Sequence, residues 1–159
     1  MSGTKVKKLG SLKKLIRALK ARGKKIVFTN GCFDILHYGH VMYLEKAKAK
    51  GDCLVVAINS DSSVRKIKGL GRPVVNEFDR ARVLAGLQSV DFVVVFGEKT
   101  PLKIIQVLEP DILVKGSDWK GRGIVGADFV KSYGGRVKTV KLAKDRSTTN
   151  LIKKIAKTN

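Results

Sequence analysis

Two histidines three residues apart, His37 and His40, follow a short apolar run in FTNGCFDILHYGH (28–40), with Gly39 between them and Asp34 just before. If a helix begins near Leu36, that spacing puts both imidazoles on one face of its first turn. Backbone amides at such a terminus attract anions, and Gly39 withholds a side chain that would block close approach. Imidazoles there can donate to phosphoryl oxygens and stabilise the charge that grows as a phosphorus centre is attacked. A plainer arrangement is open too, in which one histidine caps the helix and the other decorates the surface. Asp34 adds a zinc alternative, but His, His and Asp without a fourth ligand make a poor tetrahedral set.

A phosphate site needs cations and further donors, and two other stretches supply them. Lys66, Lys68 and Arg72 fall in a glycine-bearing segment, NSDSSVRKIKGLGRP, expected to be a mobile loop at its basic end. Ser147, Thr148 and Thr149 offer hydroxyls and free amides where a last helix should start. Each set alone is ordinary, since lysine-rich loops are usually solvated and a Ser or Thr before a helix is usually an N-cap. The common nucleotide fingerprints are absent. GLGRP is followed by Pro rather than a helix, and GSDWKGRG lacks the Lys-hydroxyl ending of a Walker loop.

The elements that would bring these groups together are legible as alternation. Apolar, β-branched runs at Ile26–Thr29, Leu54–Ile58, Phe92–Phe96, Ile112–Val114 and Val137–Val140 are expected as buried strands. Helical patterns fall between them at about 38–50, 61–68, 77–88, 100–108 and 127–133, with a last one at about 148–157. Asn76 before EFDRARVLAGL and Thr100 before Pro101 are expected helix starts. The alternation predicts an α/β single domain, a doubly wound parallel sheet covered on both faces. In such a sheet, ligands bind beyond the carboxyl ends of the strands where strand order reverses. The loops leaving the first, second and fourth strands should therefore share one rim, with KDRSTTN joining after the fifth.

The chain of 159 residues carries a formal charge of +20, and the charge is uneven. Residues 1–25 hold ten Lys/Arg and no acid, and residues 131–159 hold nine Lys/Arg with only Asp145, so the middle is nearly neutral. Such ends suit either a nucleic-acid surface or an anion-attracting periphery around a phosphate site. They lack interleaved aromatics, which makes nucleic acid the weaker reading. Leu12, Leu15, Ile16 and Leu19 recur at helical spacing and stop at Gly23, so 1–24 is expected as a basic amphipathic helix and 25–159 as the main domain. No apolar run reaches the ~18 residues of a membrane span, and no signal peptide is apparent, which leads to an expected cytoplasmic location. Cys32 and Cys53 are expected to be reduced packing residues.

Taken together, TNGCFDILHYGH, NSDSSVRKIKGLGRPV, DRARVLAGLQSVD, LVKGSDW, GADFV, YGGRV and RSTTNLIKKI resemble the nucleotidyltransferase family with an HxGH signature, and within it the adenylyltransferases that form ADP-heptose. The resemblance runs from about residue 10 to the end. It implies a Rossmann-like fold with strand order 3-2-1-4-5. It also implies transfer of AMP from ATP, with Mg²⁺, to D-glycero-β-D-manno-heptose 1-phosphate, and a homodimer. By the same resemblance, His37 and His40 hold the triphosphate and stabilise the transition state, while Thr29, Asn30, Gly31 and Phe33 line the nucleotide cleft. Asp34 would position substrate or magnesium. Lys68 with Arg72 would meet the sugar phosphate or the leaving pyrophosphate, with Lys66 as a substitute. Lys115, Gly116 and Asp118 match the KGxD loop near the nucleoside, and Arg146, Ser147, Thr148 and Thr149 match the element that binds the β and γ phosphates. Trp119 follows the related cytidylyltransferases and leaves the base open. Cytidylyltransferases of glycerol 3-phosphate or similar alcohol phosphates and FAD-forming adenylyltransferases share these elements, so they stand as alternatives. A nucleic-acid-binding module is the alternative outside enzymes.

Overall fold

The computed structural model describes residues 5–143 and 147–158. Five strands, β1 (Ile26–Gly31), β2 (Cys53–Asn59), β3 (Phe92–Phe96), β4 (Ile112–Gly116) and β5 (Arg136–Val140), form one sheet. All pairings are parallel and the order is β3-β2-β1-β4-β5, as the resemblance implies. Val27 stands beside Leu54 on one flank and Ile112 on the other, so β1 is central and the chain reverses direction of growth around it. The apolar runs become strands because a parallel sheet covered on both faces needs side chains that can be buried either way. β2 shows this fully, with all seven residues buried.

Among the described residues there are seven α-helices: α1 (Leu9–Ala21), α2 (Tyr38–Lys48), α3 (Asp61–Lys68), α4 (Glu77–Gly86), α5 (Leu102–Leu108), α6 (Ala127–Ser132) and α7 (Thr148–Ala156). One apolar cluster joins Leu44, Ala47, Leu84 and Ala85 to Val27, Leu54 and Val56. The other joins Ile104, Ile105 and Val130 to Ile26, Phe28, Val55 and Leu113. Leu12 and Ile16 of α1 belong to this second cluster and are almost wholly buried, so the basic N-terminal helix shares the sheet's core while its lysines face outward. Just before α1, Lys7 N–H donates to Val93 O and Val93 N–H to Lys5 O, both at 2.9 Å, which covers the β3 edge. The opposite edge, β5, carries exposed Arg136 and Lys138, charges that discourage pairing with another strand.

Several boundaries depart from expectation. α2 starts at Tyr38, where the 38–50 pattern puts it, but two residues after the Leu36 start that would align the two imidazoles, because Phe33 and Ile35 take φ of +48° and keep the preceding segment out of the right-handed region. α5 starts at Leu102 with Pro101 at its N-cap and no side-chain cap, so Thr100 is not a helix start. Lys66 and Lys68 lie in the last turn of α3, not in a loop. Gly69 ends that helix at φ +96°, a conformation open to residues lacking Cβ. Asn76 does cap α4, accepting from Asp79 N–H at 2.9 Å.

Candidate active site

A cleft of about 660 Å³ opens at the carboxyl ends of the strands, within the size range of small-ligand sites. Its floor is the segment leaving β1. Gly31 has no side chain there for a steric reason, since a Cβ would come within 3.0 Å of the Phe33 ring. His37 caps α2, and its Nδ1 accepts the Gly39 N–H at 3.1 Å. That bond places the lone pair on Nδ1 and the proton of the neutral ring on Nε2. His40 stacks on His37 with centroids 3.9 Å apart and an interplanar angle of 27°, and packs at 5.4 Å against Phe33. The two imidazoles therefore meet, but as cap and first-turn residue rather than as two positions of one helical face.

Burial pushes the His40 pKa down to about 4; His37 adds to the fall and Asp34 opposes it. His40 is thus neutral at physiological pH, a hydrogen-bonding group rather than a charge. Its Nδ1 is buried with no hydrogen-bond partner among the described residues, and so is Asn30 Oδ1. Buried polar atoms of this kind call for a ligand or water.

Asp34 is 1% exposed and already occupied. It accepts from Arg72 Nε at 2.7 Å, Val74 N–H at 3.0 Å and Val75 N–H at 2.9 Å. Burial raises its pKa, but the two amides and the guanidinium outweigh that and hold the carboxyl below its ordinary value. The carboxylate's role here is to pin the 72–75 segment against the loop after β1. Its backbone carbonyl receives Thr148 Oγ1 at 2.7 Å, which brings the start of α7 to the histidine loop. Ser147 caps α7 by accepting from Asn150 N–H at 3.1 Å.

On the β4 side, Lys115 is 8% exposed and donates to Asn30 O at 3.3 Å, with its ammonium 5.1 Å from the Trp119 ring centroid. Burial pulls its pKa down to about 8 and Asp118 opposes the shift. Gly116 leaves no room for a side chain, because a Cβ would run into the Asp118 carboxylate and sit 3.1 Å from Leu142.

Asn30, Gly31, Phe33, Asp34, His37, Gly39, His40, Lys68, Arg72, Lys115, Gly116, Asp118, Trp119, Ser147, Thr148 and Thr149 all line this one cleft. Three expected site residues are placed otherwise. Thr29 does not line it: the side chain is fully buried, 2.7 Å from the Tyr43 hydroxyl, which donates in turn to Val114 O at 3.3 Å. That link braces α2 against β1 and β4. Lys66 is exposed outside the lining. Arg146 lies outside the described residues.

Sequence reasoning missed two contributions. Asn59, Lys99, Thr100 and Pro101 also line the cleft. The loop after the third strand was the one omitted from the expected rim. Arg80 is 1% exposed and donates to Val75 O (2.9 Å), Cys32 O (2.5 Å), Asn59 O (2.8 Å) and Asp61 Oδ1 (2.8 Å). One guanidinium thus fastens the loops after β1 and β2 to α4. The signal was present, since Arg80 stands beside Ala81 and four residues before Leu84 on the apolar face of α4. Cys32 also lines the cleft as a half-buried thiol whose pKa burial raises, and Cys53 is pushed by burial to about 12, which leaves it unreactive.

The described residues do not form a cage for magnesium. Of the carboxylates lining the cleft, Asp34 has both oxygens engaged, which leaves Asp118. Among the described residues no group of three or more His, Cys, Asp or Glu could hold a metal ion. Nor, among them, is any helix long and apolar enough to cross a membrane.

A family model described as cytidylyltransferase-like matches residues 28–153. The bifunctional protein HldE of Geobacter metallireducens is 57% identical over 97% of this chain, and the HldE of Geotalea uraniireducens 54% identical over the same share. This chain spans about a third of the length of those relatives, 31% in each case. Among solved structures, the lipopolysaccharide core biosynthesis protein of Thermoplasma volcanium matches with a TM-score of 0.64 and 33% identity, covering 78% of this chain and all of that one.

Proposed function

The chain belongs to the cytidylyltransferase-like family, and from that premise we propose that it transfers AMP from ATP to D-glycero-β-D-manno-heptose 1-phosphate, giving ADP-heptose and pyrophosphate. The observation that carries the reading is the meeting of the stacked His37–His40 pair with the Ser147–Thr149 helix start in one cleft. Two helix N-termini with hydroxyl and imidazole donors suit a triphosphate. The high identity to HldE and the motifs shared with ADP-heptose-forming enzymes favour the sugar phosphate over alcohol phosphates.

In the transfer, an oxygen of the acceptor phosphate attacks the α-phosphorus of ATP. A new P–O bond forms as the bond to the bridging oxygen of the β-phosphate breaks, and pyrophosphate departs with that electron pair. The acceptor oxygen is ionised at neutral pH, so the chain need supply no general base, only orientation and charge stabilisation. Neutral His40 and the Nε2–H of His37 act as fixed donors at the phosphates, with Lys68 and Arg72 offsetting the developing charge. Magnesium would arrive with the triphosphate, since the described residues of the cleft form no cage of their own.

We place the enzyme in the cytoplasm as a homodimer, on the family resemblance and on the exposed apolar residues Leu70, Val74 and Phe78, which a second copy would cover. Pyrophosphate release with ATP against CTP, across heptose 1-phosphate, glycerol 3-phosphate and FMN, tests the reaction. Release with ATP and heptose 1-phosphate is expected. Preference for CTP, or for another acceptor, would overturn it.

A further inference from the structure

The sheet forks at its centre. β1 stays in register with β2 to its last residue, Gly31 beside Ile58, and β4 stays in register with β5 to Gly116 beside Val140. Between β1 and β4, among the described residues, register ends at Phe28 beside Leu113. Residues 29–31 and 114–116 therefore run on without pairing to each other, and Asn30, Gly31, Lys115 and Gly116 at the tips of the two arms line the cleft.

Side chains bridge the fork where the backbone does not. Tyr43, 7% exposed, donates its hydroxyl proton to Val114 O at 3.3 Å. A phenol has one proton to give, so across the 2.7 Å to Thr29 the threonine hydroxyl donates and the Tyr43 oxygen accepts. Burial pushes the Tyr43 phenol up to about 12, against a lowering by the Thr29 bond and with a further rise from Asp118, so the bridge keeps its proton. One residue further out, Lys115 Nζ spans the same gap to Asn30 O at 3.3 Å. Valine at 29 and phenylalanine at 43 would fill the same space, so packing alone does not account for the paired hydroxyls.

Tyr43 also lies three residues after His40 on α2, which sets the two on one helical face. Any shift of α2 against the fork would carry the stacked His37–His40 pair with it, while Lys115 and Gly116 stay with β4. We propose that Tyr43 is a positioning residue: by tying α2 to both arms of the fork, its hydroxyl fixes the distance between the imidazole pair and the loop at 115–118. The inference rests on the nucleotidyl-transfer reading, in which the nucleotide lies between those two groups. Although Tyr43 lines the cleft, its hydroxyl is engaged within the protein on both sides, so it acts through His40 rather than on the substrate.

Tyr43→Phe keeps the ring and removes the bridge; Thr29→Val and Thr29→Ser vary it from the other side. With ATP and heptose 1-phosphate, kcat of Tyr43→Phe should fall about tenfold or more, since a displacement of about 1 Å can cost roughly a hundredfold. The ATP KM should change little. Thr29→Val should show part of the fall, Thr29→Ser should keep near-native turnover, and Thr29→Val added to Tyr43→Phe should cost nothing further. A brace for stability alone would lower the urea midpoint and leave kcat unchanged, and a direct nucleotide contact would raise the ATP KM instead. Either result overturns the proposal, as do losses that multiply in the double variant.

A second readout needs no turnover. The chain has two histidines, so the Cε1 proton of His40 can be followed by NMR at neutral pH, where its stack on His37 makes it sensitive to ring position. That resonance should move in Tyr43→Phe and, by less, in Thr29→Val. An unmoved resonance overturns the positioning role whatever turnover does. If no acceptor yields pyrophosphate and the resonance still moves, the positioning role stands and the transfer reading falls.

Discussion

Thr148 Oγ1 donates to the backbone carbonyl of Asp34 at 2.7 Å, joining the first residue of α7 to the loop after β1 across 114 positions of sequence. Asp34 also holds Arg72, Val74 and Val75. A single residue therefore connects the expected triphosphate element to the basic segment at Arg72.

Replacing Thr148 with Val keeps the shape and removes the donor. The lost hydrogen bond should cost about 1 kcal/mol of stability and leave the Asp34 carbonyl unsatisfied. ATP affinity is expected to weaken about tenfold, measured by calorimetry, while Thr148→Ser keeps near-native affinity. Equal affinity in Val and Ser variants would remove the hydroxyl's role.

His40→Ala should lower kcat by roughly a hundredfold or more, by analogy with removal of an oxyanion donor. Its depressed pKa also sets a pH window. Folded His40 prefers the neutral ring, with a pKa near 4 against an ordinary value of 6.5. The stability this preference confers is complete above about 6.5 and is lost as pH falls toward 4. Chemical denaturation at stepped pH should show that decline, and His40→Phe should flatten it.

Lys115 titrates in the opposite range. Its ammonium, with a pKa of about 8, loses its charge in the folded protein as pH rises past that value, whereas the unfolded chain keeps it to 10.5. Stability therefore rises between about 8 and 10.5, because the unfolded state binds more protons there. Nucleotide affinity should move the other way and fall about tenfold as the charge is lost. Lys115→Met should bind ATP with no such inflection between pH 7 and 9.

Arg80 makes four hydrogen bonds from a nearly waterless position. Arg80→Met should destabilise the protein by about 3 kcal/mol, since it strands the carbonyls of Cys32, Asn59 and Val75 and unpairs Asp61. Arg80→Lys should not restore stability, because an ammonium cannot reproduce the planar fork. Urea midpoints of the two variants check both statements.

The five strands were legible because runs such as FVVVF have few alternatives to burial in a parallel sheet. β4 reads two residues short in sequence, as Lys115 looks like an ending when its stem is in fact enclosed. The histidine pair was visible as a spacing, but its stacked geometry depends on positive φ at Phe33 and Ile35, which neither residue type advertises. The Lys99–Pro101 turn was hidden by the resemblance of Thr-Pro to a helix start. Asp34 looked like a free carboxylate because the amides of Val74 and Val75 that occupy it come from 40 positions away.

The central place of β1 bears on synthesis at the ribosome. Its first neighbour, β2, follows within one helix, but its second, β4, begins only at Ile112. A nascent chain shorter than that carries β1 with one open flank, a template for unwanted strand addition. Fragments ending before Ile112 should therefore aggregate, while fragments that include β4 and β5 stay dispersed, and sedimentation of the two sets would separate them.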